Sequence, residues 1–104
     1  MYKLEFLPIA KKDIDEIIYY ISSNLKNKTA ANNLANSFIK GANNILEFPY
    51  GLPVYKTSKR LEKEYRCFKI KNFQMFYIIN EEDKIITIVR VLYKKMDINN
   101  ILED

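Results

Sequence analysis

Histidine is missing from the 104 residues and cysteine occurs once, as Cys67. A single cysteine cannot close an internal disulfide, and without histidine the usual zinc-ligand sets cannot be assembled. The missing histidine also removes the side chain that titrates near neutrality without perturbation, so any proton transfer would fall to a shifted lysine or tyrosine. No apolar run approaches the ~18 residues that a membrane-crossing helix needs. The first residues, Met1 to Phe6, alternate and carry charge, in place of the apolar stretch and small-residue cleavage site of a secretory signal. A cytoplasmic protein with no metal, no cofactor and no membrane partner is expected.

What is present is enough to fold. Hydrophobic residues make up 48% and aromatics 13%, too apolar for a disordered chain. The length fits one domain, and nothing between 1 and 104 marks a linker between two cores.

The order of elements reads as α+β. Tyr2, Leu4 and Phe6 alternate with Lys3 and Glu5, a short strand with one buried face. Pro8 ends it and opens a helix on which Ala10, Ile14, Ile17, Ile18, Ile21 and Leu25 recur at helical spacing. Lys11, Lys12, Asp13 and Glu16 are assigned to the other face, and the helix should run to about Asn24. After the polar turn Lys26-Asn27-Lys28, Thr29 caps a second helix with an apolar stripe of Ala31, Leu34, Ala35, Phe38, Ala42, Ile45 and Leu46, ended by Pro49. A turn this short makes the two helices an antiparallel hairpin with one apolar side, which needs a sheet to cover.

Pro49, Gly51 and Pro53 break the periodicity, and an irregular connection follows. Three strands come next: Tyr65 to Ile70, Phe73 to Ile79 and Ile85 to Tyr93. Lys71-Asn72 is a two-residue hairpin turn with Asn72 able to take positive φ, and Asn80 to Lys84 is a longer loop, so the strands form an antiparallel meander. Asp97 to Leu102 fits one helical turn capped by Asp97.

Strand alternation assigns faces. Phe73, Met75, Tyr77 and Ile79, with Ile85, Thr87, Val89, Val91 and Tyr93, fall toward the helices. The opposite face takes Arg66, Phe68, Ile70, Gln74, Phe76, Ile78, Ile86, Ile88, Arg90 and Leu92. That face is apolar yet carries two arginines, and an isolated charge in such a setting is costly. Each arginine therefore needs a partner, either internal, such as Glu62, Glu64 or the C-terminal carboxylates, or supplied by a ligand.

Charge is also uneven. From Lys56 to Lys71 there are seven basic residues and two acids, a net of +5, against +4 for the whole chain. Local basicity of this kind suits phosphates or an acidic protein, the alternative being a run that merely faces water.

The run Tyr65-Arg66-Cys67-Phe68-Lys69-Ile70-Lys71-Asn72-Phe73-Gln74-Met75-Phe76-Tyr77, then Arg90-Val91-Leu92-Tyr93 and Asp97, resembles the second half of the RelE/ParE toxin superfamily. The Pro-led helix, Glu47-Phe48-Pro49 and the order of strand, helix hairpin and meander extend the resemblance over nearly the whole chain. It implies a bacterial type II toxin, held inactive by a cognate antitoxin through which alone it would meet operator DNA.

RelE-like members cleave messenger RNA on the ribosome, with two basic residues on the first meander strand and an arginine in an Arg-Leu-Val-Tyr run. Arg66 fits the first of these positions, but Phe68 occupies the second and Gln74 replaces the arginine. Some nucleases also end the last strand in His-Tyr, where this chain has Leu92-Tyr93. ParE-like members, which act on DNA gyrase, are similar at Arg66, Phe68, Phe76, Tyr77, Arg90 and Leu92, although an arginine often precedes their aspartate where Met96 stands here.

The resemblance favours a gyrase-binding inhibitor, with the ribosome-dependent, metal-independent endoribonuclease as the alternative. The expected target-binding surface comprises Lys59, Arg60, Arg66, Gln74, Phe76, Arg90, Leu92 and Lys95. A nuclease would use Arg66 and Arg90 on the phosphate and Tyr93 or Lys94 as proton carrier. Tyr77 would then be a stacking surface, although its parity favours the core.

Overall fold

In the computed structural model, which describes residues 1–57, 60–96 and 98–102, strand β1 (Lys3–Phe6) leads directly into helix α1 (Pro8–Tyr19). Proline suits the first helical turn, since its missing N–H is one that the turn leaves unpaired, and the Leu7 carbonyl accepts from Ala10 and Lys11 instead. A π-helical turn (Tyr20–Asn24) carries the helix on to Leu25. The chain reverses through Lys26, at φ 50°, into helix α2 (Lys28–Glu47). The cap of α2 is Asn27, whose side chain accepts from the Ala30 N–H at 3.0 Å. Thr29, expected as the cap, lies inside the helix.

The meander consists of β2 (Arg66–Ile70), β3 (Phe73–Asn80) and β4 (Ile85–Tyr93). Strand β1 joins it in parallel beside β4, giving the order β1-β4-β3-β2. Positive φ falls on Lys71 at 53°, the first turn residue, and not on Asn72. A short 3₁₀ turn (Ile98–Asn100) follows β4, while Asp97, its expected cap, lies outside the described residues. Among the described residues no helix is long and apolar enough to cross a membrane.

The helices cover one face of the sheet. Leu34, Phe38, Ala42 and Ile45 of α2 and Ala10 of α1 pack on Ile70, Met75, Tyr77, Ile86, Ile88 and Val91. Gly41 allows α2 its close approach to β2, since a Cβ there would stand 2.7 Å from the Ile70 side chain.

Two assignments of residues to faces need correction. Phe68 and Ile70 lie on the helix side, because the two-residue turn pairs Ile70 with Phe73 and Phe68 with Met75, and cross-strand partners share a face. Arg66, paired with Tyr77, follows them. On β4 one parity does not hold along the strand. Phe76 pairs with Arg90 but Tyr77 pairs with Ile88, so Val89 is an extra residue in a β-bulge. Before the bulge Ile86 and Ile88 face the helices; after it Val91 and Tyr93 do.

The second face is closed as well. Cys67, Phe76, Ile78, Val89 and Leu92 are covered by Tyr55, Leu61 and Tyr65 of the connection and by Ile98, Ile101 and Leu102 of the tail. Tyr55 meets Phe76 edge-on, with ring centroids 5.1 Å apart.

Candidate functional site

Both arginines are satisfied from within the fold. Arg90 sits at the bulge and forms a two-pronged pair with Asp13 of α1, its Nε and Nη2 lying 2.8 and 2.9 Å from the two carboxylate oxygens. The Val91 N–H adds a third bond to Asp13 Oδ2 at 3.0 Å. The partner is therefore neither Glu62 nor Glu64. Asp13 also lies on the sheet-facing side of α1 and not with Lys11, Lys12 and Glu16, because it stands three residues from Ala10 and four from Ile17.

Arg66 donates from Nη1 to the Leu52 carbonyl and lies over the Tyr50 ring, 5.0 Å from its centroid. Below it Tyr77 is fully buried and donates to the Pro49 carbonyl at 3.1 Å, which makes it core and removes the stacking role.

The other expected site residues divide by exposure. Phe76 and Leu92 are buried under the tail and connection, so a partner cannot touch them on this surface, whereas Gln74, buried itself, forms part of the wall of an open cleft with Lys69, Lys71, Lys94 and Lys95. Gln74 bonds to Cys67, whose thiol burial pushes up to about 11, away from thiolate reactivity. Tyr93, Lys94, Lys95 and Arg60 are exposed, whereas Lys59 lies outside the described residues. Arg66 and Arg90 do not form one open surface with Gln74, because the hairpin register puts Arg66 on the helix side with Tyr77, while Arg90, on the second face with Phe76, is engaged by Asp13 of α1.

Two open features went unread in the sequence. The first is a mostly apolar groove of about 680 Å³ between the end of the first helix and the sheet, lined by Ile17, Tyr20, Ile21, Leu25, Phe73 and Tyr93, with Glu16 its one charged wall. It is reached through the π-helical turn, which interrupts the regular helical phase at Tyr20 and Ile21. The second is Glu81, in the β3–β4 loop. Its Oε1 accepts from Tyr2 at 2.6 Å and from Tyr50 at 2.8 Å, and its Oε2 from Lys84. These bonds tie the start of β1, the segment after α2 and the β3–β4 loop together.

The hydrogen bonds from Lys84, Tyr2 and Tyr50 hold the Glu81 carboxyl at about 2, below its reference of 4.5. A lowered folded pKa gives stability that is complete above 4.5 and is lost as pH falls toward 2. The thermal midpoint of the protein should therefore exceed that of Glu81→Gln at pH 6, with the gap closing by about pH 2, as melting curves at several pH values would show. The site is open to water, so added salt should narrow the gap.

The comparisons with known proteins agree with this architecture. A family model described as the ParE toxin of type II toxin-antitoxin systems, parDE, matches residues 4–98. The chain belongs to the ParE toxin family. No curated protein sequence matches it. Among solved structures, the chromosomal ParDE system of P. aeruginosa is similar at a TM-score of 0.72 and 15% identity, over 89% of this chain and 96% of that one. The RelBE2 toxin-antitoxin complex of Mycobacterium tuberculosis gives 0.56 and 17%, over 88% and 96%. The isolated E. coli RelE toxin gives 0.56 and 15%, over 98% and 100%. At these identities the structures establish the shared fold. In this ParE-family chain the fold comes with two arginines tied inward, an apolar groove and exposed lysines at the end of the sheet.

Proposed function

We propose that this type II toxin arrests growth by binding DNA gyrase and is silenced by a cognate antitoxin seated in the groove of Ile17, Tyr20, Ile21, Leu25, Phe73 and Tyr93. The engagement of Arg66 and Arg90 within the fold is the observation that carries the reading. Cleavage of RNA by internal attack needs a base for the 2′-hydroxyl, cations on the phosphate and an acid for the leaving oxygen. The two arginines suited to the phosphate already have partners, and the chain has no histidine. Binding a protein asks only for shape, exposed apolar area and charge, which the groove and the exposed lysines provide.

Purified protein added to gyrase and supercoiling plasmid should inhibit supercoiling or trap cleaved DNA. Unchanged supercoiling with no trapped cleavage would refute the gyrase target. Antitoxin seating is read separately: Tyr20→Asp should weaken co-purification with the small protein encoded beside the toxin by 10-fold or more, on the order of the 1.4 kcal/mol that a tenfold change represents.

One observation favours the ribosome-dependent nuclease as a second reading. Tyr93 is 39% exposed at the rim of the groove, and the exposed Lys94 and Lys95 that follow it line a second cleft, which has Phe73 as a wall in common with the groove. Primer extension on translated messages would then show stops within codons; their absence at full expression rejects this reading.

A further inference from the structure

Three lysines of the basic stretch, Lys56, Lys69 and Lys71, join Lys94 and Lys95 in a band along one edge and one end of the sheet. Lys69, Lys71, Lys94 and Lys95 line one cleft of about 350 Å³ together with Phe73 and Gln74. Lys69 also lines the neighbouring cleft along the β2 edge, with Lys56, Pro53, Val54 and Phe68. The two clefts adjoin at Lys69, and all five lysines are exposed.

The end of the band is held in place by backbone. The Lys94 N–H donates to the Asn72 carbonyl at 2.8 Å, which fastens the turn after β4 to the β2–β3 turn that carries Lys71. Among the described residues no carboxylate lines either cleft, and no ion pair involves any of the five lysines. Three cations elsewhere do have carboxylate partners, Lys12 with Glu16, Lys84 with Glu81 and Arg90 with Asp13.

We propose that this band binds the phosphodiester backbone of a nucleic acid directly. The inference goes beyond the toxin's protein target and antitoxin but draws on lysines that the proposed function also uses, so its binding measurement contains neither gyrase nor antitoxin. A line of like charges along an edge matches a linear polyanion, each lysine offering a point charge that meets a phosphate without a fixed geometry. Phe73, half-buried at the wall of the cleft, already packs edge-to-face with Phe38 and Tyr93, so base recognition is minor and the contact is largely independent of sequence. An acidic protein segment would meet the same charge, and polyglutamate tests that alternative.

The test is fluorescence anisotropy of the purified full chain with a labelled DNA duplex of about 20 bp and, in parallel, a single-stranded RNA of about 20 nucleotides. If about four phosphates are neutralised, affinity should fall on the order of 100-fold between about 50 and 200 mM salt. Lys71→Gln with Lys94→Gln should lower the log–log salt slope by about two, because each phosphate-contacting lysine contributes about one. Lys40→Gln on the exposed side of α2 should leave the slope unchanged. Binding of either nucleic acid with this behaviour supports the proposal, and the arm that binds names the source of the phosphate. No binding at about 50 mM salt, binding that the double variant leaves intact, or a preference for polyglutamate over both nucleic acids overturns it. Melting curves of the variants confirm that they remain folded.

Discussion

Phe76→Ala should cost about 4 kcal/mol of folding stability, the middle of the range for deleting a fully buried phenylalanine. The ring is wholly inaccessible to solvent and packs edge-on against Tyr55, within the cluster that Leu92, Val89, Ile98 and Leu102 complete. Truncation removes the transfer energy of the ring and leaves a cavity between the sheet and the tail, which is short and cannot collapse far into it. Domains of this size have only about 5–15 kcal/mol in total, so the variant should lose a large share of its folded margin. Urea denaturation would show a lower midpoint with an unchanged slope. A ring that instead served a partner from an open face would leave the midpoint in place and weaken only binding.

Asp13→Ala should have the next largest effect, about 3 kcal/mol, because it strands a guanidinium and a backbone N–H together. Asp13 is the acceptor for Arg90 Nε, for Arg90 Nη2 and for Val91 N–H, so one carboxylate closes three bonds between α1 and the bulge in β4. The Asp13 side chain is 13% exposed and that of Arg90 22%, which limits how far water can replace the lost bonds. Arg90→Ala leaves the carboxylate its bond from Val91 and should cost less. A double-mutant cycle over the two positions should return a coupling of about 1–3 kcal/mol. A near-zero coupling would show the pair to be worth no more than a surface ion pair. Growth arrest relieved by Arg90→Ala must accordingly be read beside a melting curve, since loss of the fold and loss of the target contact give the same phenotype.

These two results bear on what the sequence could reveal. The helical stripes were legible because their period is clean, and the three meander strands because short apolar, β-branched and aromatic runs are separated by polar turns. So was the core position of Tyr77, whose alternation with Met75 and Phe73 points one way. The faces of β2 were also recoverable, since a two-residue turn dictates that Ile70 and Phe73 share a side. Asp13 was recoverable too, by its spacing from Ala10 and Ile17.

The bulge at Val89 was not. Ile85, Ile86, Ile88, Val89, Val91 and Leu92 are apolar at both parities, as in any strand covered on both faces, so a slip of one residue leaves no trace in the pattern. The cover on the second face was hidden for a related reason, because the tail that supplies Ile98 and Leu102 is too short to show a period. With the bulge and the cover unseen, Arg66, Gln74, Arg90 and Leu92 were expected to share one open surface, which the fold dismantles. The exposed part of the candidate site, Tyr93, Lys94 and Lys95 beside the groove, lies where β4 ends, and its charge was legible even though its neighbours were not.

The place of β1 beside β4 has a consequence for how the toxin is born. The first strand to leave the ribosome must wait for the last, because Lys3–Phe6 finds its sheet neighbours at Ile85–Ile88. Pairing across most of the chain is slow to close and cannot be completed on a partial product. Synthesis thus delivers the four-stranded sheet only once Ile85–Tyr93 has been made, and a chain stopped before that point has a first strand without its sheet neighbour.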